Sequence, residues 1–282
     1  MGLRSLTGKL SIVTGAARGI GSAVAENLAS KGSSIVLGYR STSSDRVAQT
    51  LCRKLEAQYD VKAIPARADI GTEAGCATVI KLANLNFGNS KTGDLRIDIL
   101  INNAGIARMK GIGDITREEF AEVYQTNVLG PIHMVQACLP HLPWDRSGRI
   151  VNVSSVGSTL GLPEQTLYAG SKGALEAMTR VWARELSKRA TVNVINPGPV
   201  VSDIYHGIPE YIREDLGKWN RIAPLAQDFT AQELEEQPWI KYGGRPAYPS
   251  EVAGVVAMLC SEDAGWTTGS LISANGGMRM SV

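Results

Sequence analysis

The stretch VTGAARGIGS, residues 13–22, sets Gly15, Gly19 and Gly21 within seven positions and places Arg18 directly before the second of them. It follows an apolar run at 10–13 and opens a segment of helical period at 22–31. Glycines there let the backbone turn tightly, approach a pyrophosphate closely and aim N–H groups at it from a helix N-terminus. A strand-to-helix turn that binds nothing would also use such glycines. The chemistry therefore has to come from other parts of the chain.

Working outward, short β-branched or apolar runs recur at 34–37, 61–65, 97–101, 149–153, 191–195 and 271–272. Between them lie segments of helical period at 45–58, 72–85, 116–124, 132–142, 167–188 and 250–260. Strands alternating with helices build parallel strand-helix-strand units, and such open sheets bind ligands at the C-terminal strand ends. The reading is an α/β doubly wound domain spanning residues 1–282, with seven parallel strands and helices on both faces. Residues 203–249 break the rhythm, being rich in Trp, Tyr, Pro and acids, and read as a small helical lobe that selects substrate.

The 282 residues are 44% hydrophobic and 20% charged, with a formal net charge of +2 spread along the chain. Without basic blocks, neither nucleic acid nor an anionic membrane is indicated, which leaves a small molecule as partner. Cys52, Cys76, Cys138 and Cys260 are widely separated, so a reduced, cytoplasmic setting is expected rather than a disulfide framework or zinc site. The N-terminus has leucine at position 6, where a myristoylation signal has Ser or Thr, and no apolar run reaches membrane-spanning length. His133, His141 and His206 show no metal-like spacing, and no metal is expected.

Further along stand Asn102-Asn103-Ala104-Gly105, then Asn127 in QTNVLG, Ser154-Ser155, Tyr168-x-x-x-Lys172 and Asn196-Pro197-Gly198. With the three-residue gap of Thr14-Gly15-x-x-x-Gly19-Ile20-Gly21, this ordered set resembles the short-chain dehydrogenase/reductase family from about Leu10 to Gly277.

Tyr168 and Lys172 lie four apart on one helix face. A phenol with an ordinary pKa of about 10 exchanges protons poorly at neutral pH, and a nearby ammonium favours its phenolate. Reduction of a ketone leaves charge growing on oxygen, which calls for a proton donor and a second hydrogen-bond donor there. Tyr168 is the expected acid. Ser154 and Ser155 point to opposite faces of their strand, so one can serve; the family spacing of thirteen residues before the tyrosine selects Ser155, leaving Ser154 packed or bonded behind. The resemblance further implies that Lys172 holds the nicotinamide ribose and that Asn127 holds a water relaying protons to Lys172. A serine hydrolase is the competing reading of Ser155, but no Gly-x-Ser-x-Gly surrounds it.

The second strand ends at Tyr39-Arg40-Ser41, and the position where the family places a ribose-binding acid falls on Tyr39. Arg40 and Arg18, with Ser41 beside them, suit the 2′-phosphate of NADPH/NADP+ instead. By the resemblance, Asp69 and Ile70 meet the adenine. Asn103, Ala104, Gly105, Pro197, Gly198, Val200 and Ser202 complete the dinucleotide site.

Substrate contacts are expected from Gly157, Leu162, Pro199, Ile204, Tyr205, His206, Tyr211 and Trp219. The lobe is similar to that of fungal polyhydroxynaphthalene and polyketide ketoreductases, and more distantly to 3-oxoacyl carrier-protein reductases. The implied activity is NADPH-dependent ketone reduction. The alternatives are thioester-linked ketone reduction, non-redox or cyclising chemistry at the same site, and a non-catalytic dinucleotide-binding protein. The helices at 116–142 and 167–188 form the family's tetramer interface, so a homotetramer is expected.

Overall fold

A computed structural model describes residues 5–236 and 238–280. Strand β1 (Leu10–Val13) is buried at every position, as a central parallel strand covered on both faces must be. It pairs in parallel with β2 (Ser34–Tyr39) on one side and β4 (Ile99–Asn102) on the other. With β3 (Ala63–Arg67), β5 (Gly148–Val153), β6 (Ala190–Pro197) and β7 (Leu271–Ala274), the seven strands lie in the order β3-β2-β1-β4-β5-β6-β7, all parallel. The order reverses between β1 and β4. Each strand's loop leaves the carboxyl end there, which makes the cleft over that point the ligand site.

Helices cover both faces. Helices α1 (Gly19–Ser30), α2 (Asp45–Tyr59) and, from the far end of the chain, α11 (Pro249–Cys260) pack on one side, where Val24, Leu28, Leu55 and Val256 are fully buried. Helix α3 (Glu73–Phe87), helices α4 (Arg117–Tyr124) and α5 (Gly130–Cys138), and α7 (Thr166–Glu185) pack on the other, burying Ile12, Val79, Leu100 and Met134. Each such aliphatic side chain contributes about 1.5–3 kcal/mol of burial.

Several boundaries differ from the sequence expectation by one to three residues, and three departures have a local cause. β3 starts two residues late because α2 runs to Tyr59 and Asp60 closes it in the left-handed region, so 61–62 are spent reaching the sheet edge. The helix expected over 132–142 ends at Cys138 and continues as a tighter turn, Leu139–His141, because Pro140 clashes with continuation of the α-helix. Between α4 and α5 the chain forms a π-helical segment, Gln125–Leu129, with the Gly130 N–H reaching back five residues to the Gln125 carbonyl. Pro131 has no N–H to give the Asn127 carbonyl, so the helix widens around Asn127.

The segment 203–249 folds as α8 (Asp203–His206), α9 (Glu210–Asn220), α10 (Ala231–Glu236) and two short 3-10 turns. A short helix α6 (Gly157–Leu160) faces it from β5. The four cysteines are free and buried. Among the described residues no helix is long and apolar enough to cross a membrane. Residues 1–4, including most of the N-terminal segment read for acylation, lie outside the described residues.

Candidate active site

Helix α7 opens with Tyr168 and Lys172 on one face, directed at the end of β5. Lys172 is buried, and its Nζ donates to the Val153 carbonyl at 2.8 Å while lying 5.7 Å from the centre of the Tyr168 ring. Past the end of β5 the two serines part as strand alternation requires. Ser155 faces the cavity, where its Oγ accepts from the Gly157 N–H at 3.1 Å and hydrogen-bonds the Tyr168 hydroxyl. Ser154 is buried behind, its Oγ 2.6 Å from Glu176 Oε1.

Glu176, one turn beyond Lys172, is a buried carboxylate that nothing in the motif spacing marks. Its Oε1 also accepts from Ser158 Oγ at 2.6 Å and Asn196 Nδ2 at 3.3 Å. One oxygen thus joins α7, the segment after β5 and the end of β6. Asn127 is sealed at the π-helical widening: its Oδ1 accepts from Ile106 N, and its Nδ2 donates to Ile106 O and Ser171 Oγ, all at 2.9–3.0 Å. It ties the loop after β4 to α7.

Burial raises the Tyr168 phenol above its ordinary value, and the hydrogen bond from Ser155 opposes this without cancelling it. Desolvation thus dominates the balance at Tyr168. Tyr168 stays a neutral acid at pH 7. Burial pushes the Lys172 ammonium down to about 8, against the opposing charge of Glu176. The ammonium is thus desolvated and loses its proton as pH rises through about 8, so the rate of ketone reduction should fall across that range. A pH profile of kcat flat to pH 10 would overturn this. The stability sign is opposite: the unfolded lysine binds the proton more tightly, so the cost of burying Lys172 is full below pH 8 and is relieved as pH rises toward the ordinary value near 10.5.

The same cavity, about 380 Å³, extends from Tyr168 over the switch point to the glycine loop. Gly15 adopts φ +63°, and a Cβ there would stand 2.8 Å from the Ala104 backbone; at Gly21 it would stand 2.4 Å from the Gly15 carbonyl. These two glycines let loop and helix close on each other, and Gly21 itself lies behind the cavity wall. Asn103 latches the arrangement, its Nδ2 donating to the Thr14 and Gly15 carbonyls at 2.9 and 3.1 Å, while Thr14 Oγ1 accepts from the Asn103 and Ala104 N–H groups. Across the cleft Ser202 caps α8 and stands nearest to Gly19.

Tyr39 ends β2 at the rim, and the acids lining the cavity among the described residues, Asp69 and Asp203, stand on other segments. The Tyr39 phenol is raised to about 12 by burial and by Asp45, which pairs with Arg67 at 2.9 Å outside the cavity lining. Arg40 lines the rim, exposed and without an ion pair among the described residues. Arg18 bridges the cleft walls, with Nη1 2.6 Å from Asp203 Oδ2 and Nη2 2.8 Å from Ser44 Oγ. It therefore reaches the loop that carries Arg40. Ser41 is turned into that loop, where its Oγ accepts from the Ser43 N–H, and does not line the cavity.

The family model for short chain dehydrogenases matches residues 9–211, most of the chain. This protein is a short-chain dehydrogenase. As such it is an oxidoreductase acting between CH–OH and C=O groups. The dehydrogenase is 45% identical to L-xylulose reductase of Aspergillus niger, over 98% of this chain and 99% of that one. It is 43% identical to L-xylo-3-hexulose reductase of Hypocrea jecorina, over 99% of both. Among solved structures it is similar to the angucycline C-6 ketoreductase LanV with bound NADP, at 33% identity and a TM-score of 0.82, covering 97% of this chain and 96% of that one.

In the dehydrogenase, the remaining residues read from the sequence fall as follows. Ile20, Asp69, Ile70, Gly105, Pro197, Gly198 and Val200 line the cavity with Ser155, Tyr168 and Lys172, and Asn127 does not. Gly157, Leu162, Pro199, Ile204 and Tyr205, expected to meet substrate, also line it. Three expected substrate residues do not. His206 is exposed with its ring edge-on to Tyr205, Tyr211 is exposed and donates to Glu164 Oε2 at 2.6 Å, and Trp219 packs with Val156, Ala223 and Met278. On α8 the lining takes in Asp203, Ile204 and Tyr205 and stops short of His206, and on α9 it is Leu216 that reaches the cavity. Gln165, Met109, Ile208 and Leu216 line it instead, and a stricter helical wheel for α9 would have marked Leu216.

Proposed function

We propose that this dehydrogenase reduces the ketone of a small polyhydric substrate, a linear ketose of the L-xylulose kind, with NADPH. The observation that carries it is one cavity holding Ser155, Tyr168 and Lys172 at one end and, at the other, Arg18 and Arg40, with Tyr39 rather than an acid at the end of β2. NADPH and NADP fit this chain on that ground, since the glycine loop admits a pyrophosphate and the two guanidinium groups suit a further phosphate. Solved relatives at 31% and 33% identity carry NADPH and NADP. The two sugar-ketone reductases support the substrate class.

When bound, NADPH supplies a hydride to the carbonyl carbon. Tyr168 gives its phenolic proton to the carbonyl oxygen, and the Ser155 hydroxyl donates a second hydrogen bond there. Lys172, fixed by the Val153 carbonyl, steadies the phenolate that forms and returns the proton. Asn127 holds the 105–107 loop against α7 so that Lys172 keeps its place. Arg18 and Arg40 would hold the 2′-phosphate.

The test follows NADPH absorbance with L-xylulose, then NADH. Expected are stoichiometric NADPH oxidation and, in Arg40→Ala, about a 10-fold rise in the NADPH KM with the NADH KM unchanged. No ketose turnover, or a clear preference for NADH, overturns the respective half. A second reading, an aromatic polyketide ketone, is favoured by the apolar wall of Met109, Leu162, Ile208 and Leu216. A faster rate on 1-tetralone than on L-xylulose selects it.

The assembly read from the family is a homotetramer. Phe120 and Tyr124 stack on α4 at 4.2 Å, and Phe120, Leu129 and Val181 expose apolar surface on those helices. Light scattering that reads a monomer overturns it. A cytoplasmic site of action completes the reading, tested by fractionation.

A further inference from the structure

Gln165 immediately precedes helix α7, three residues before Tyr168. Its backbone carbonyl accepts from the Ala169 N–H at 2.7 Å, which fixes the residue against the first turn. The residue is 5% exposed and lines the cavity with Ser155, Gly157 and Tyr168. Among the described residues its carboxamide has no hydrogen-bond partner, yet it is not one of the polar side chains sealed away without a partner. The amide is therefore open to the cavity.

Its position relative to the reacting groups is set by Gly157. The point where a Cβ at Gly157 would stand is 2.7 Å from Gln165 Oε1, 3.4 Å from Ser155 Oγ and 3.6 Å from Tyr168 Cε1. Space beside the catalytic hydroxyls is thus bounded by one amide oxygen, and the absence of a side chain at 157 keeps it open. A carbonyl oxygen held by Ser155 and Tyr168 puts its neighbouring carbon within reach of that amide. An apolar group there would strip water from the amide and leave it unpaired, whereas a hydroxyl both gives and accepts hydrogen bonds with a carboxamide.

We propose that Gln165 is a specificity-determining residue that hydrogen-bonds a hydroxyl on the carbon adjacent to the substrate ketone, selecting α-hydroxy ketones over their deoxy counterparts. The inference rests on ketone reduction at this site and sharpens the ketose reading. Sites built to pair a substrate hydroxyl discriminate strongly against analogues lacking it, while apolar pockets discriminate weakly.

The experiment compares kcat/KM for 1-hydroxy-2-butanone and 3-pentanone, which differ by a hydroxyl in place of a methyl, in the wild-type protein and in Gln165→Leu. Gln165→Met serves as a second variant of similar length, with circular dichroism and NADPH affinity measured for all three. The wild-type protein should favour the hydroxy ketone by about 30-fold, and each variant should bring the ratio to within about 3-fold through loss on the hydroxy ketone alone. An unchanged ratio, or an equal loss on both ketones, overturns the inference. L-xylulose turnover by the wild type is measured beside these. Turnover of L-xylulose with a ratio insensitive to Gln165 overturns the inference alone; a Gln165-dependent ratio without L-xylulose turnover overturns the ketose reading alone.

Discussion

Tyr168→Phe should lower kcat for ketone reduction by about 10³-fold, within the range general acids contribute, while NADPH affinity stays within about two-fold. The phenylalanine ring keeps the packing that α7 makes against β5, so the fold and the dinucleotide cleft are preserved. What disappears is the O–H that Ser155 bonds and burial holds neutral. Among the described residues no other acid takes that place beside Ser155: the serine gives its proton far less readily, and Lys172 Nζ is held on the Val153 carbonyl, 5.7 Å from the centre of the Tyr168 ring. Steady-state rates with a fluorescence titration of NADPH separate the two quantities. A kcat within about three-fold of wild type would remove Tyr168 from the mechanism.

The second large effect is expected at Glu176. In Glu176→Leu, Oε1 no longer accepts from Ser154, Ser158 and Asn196, and all three donors sit in the packed ground between β5, β6 and α7. Ser158 retains the Ser155 carbonyl at 2.7 Å and Ser154 a long contact to the Lys172 carbonyl at 3.4 Å, so the loss is smaller than three orphaned groups would give. About 3 kcal/mol is expected, read as a fall in Tm of about 6–9 °C in a chain of this size. Glu176→Gln separates charge from bonding. It keeps an acceptor oxygen and should melt within a few degrees of wild type, but it removes the charge that opposes the burial of Lys172. The descending limb of the kcat profile near pH 8 should then move to lower pH. If Glu176→Gln leaves that limb in place, Glu176 is a structural clasp without electrostatic reach to Lys172. If Glu176→Leu melts with wild type, the clasp itself is refuted.

Much of the site is legible along the chain because dinucleotide and hydride chemistry impose local demands. The glycine loop must be bare where backbone meets backbone, and a Cβ at Gly15 or Gly21 would stand within about 3 Å of neighbouring main chain. The Tyr168–Lys172 pair must share a helix face, which a spacing of four ensures. Strand alternation requires the two serines to part, and they do so with Ser154 on Glu176 and Ser155 in the cavity. The substrate end was less legible. Aromatic and polar residues of 203–249 were equally plausible contacts, and His206, Tyr211 and Trp219 turned out to face solvent or the lobe's own packing.

The sequence by itself determined the alternation of strands and helices, and with it the parallel sheet and the switch-point cleft, because hydrophobic period is a property of neighbouring residues. It also determined that Tyr168 and Lys172 share one helix face and that Tyr39 stands where an acid could. Only the tertiary structure decided which residues line the cavity from elements far apart in the chain. It placed Asn127 at a π-helical widening that Pro131 imposes. It brought Glu176 against donors from two strand ends, closed Arg18 onto Asp203, 185 residues away, and left the Gln165 amide open beside the catalytic hydroxyls. Those contacts depend on how helices pack across a sheet, and no local period encodes them.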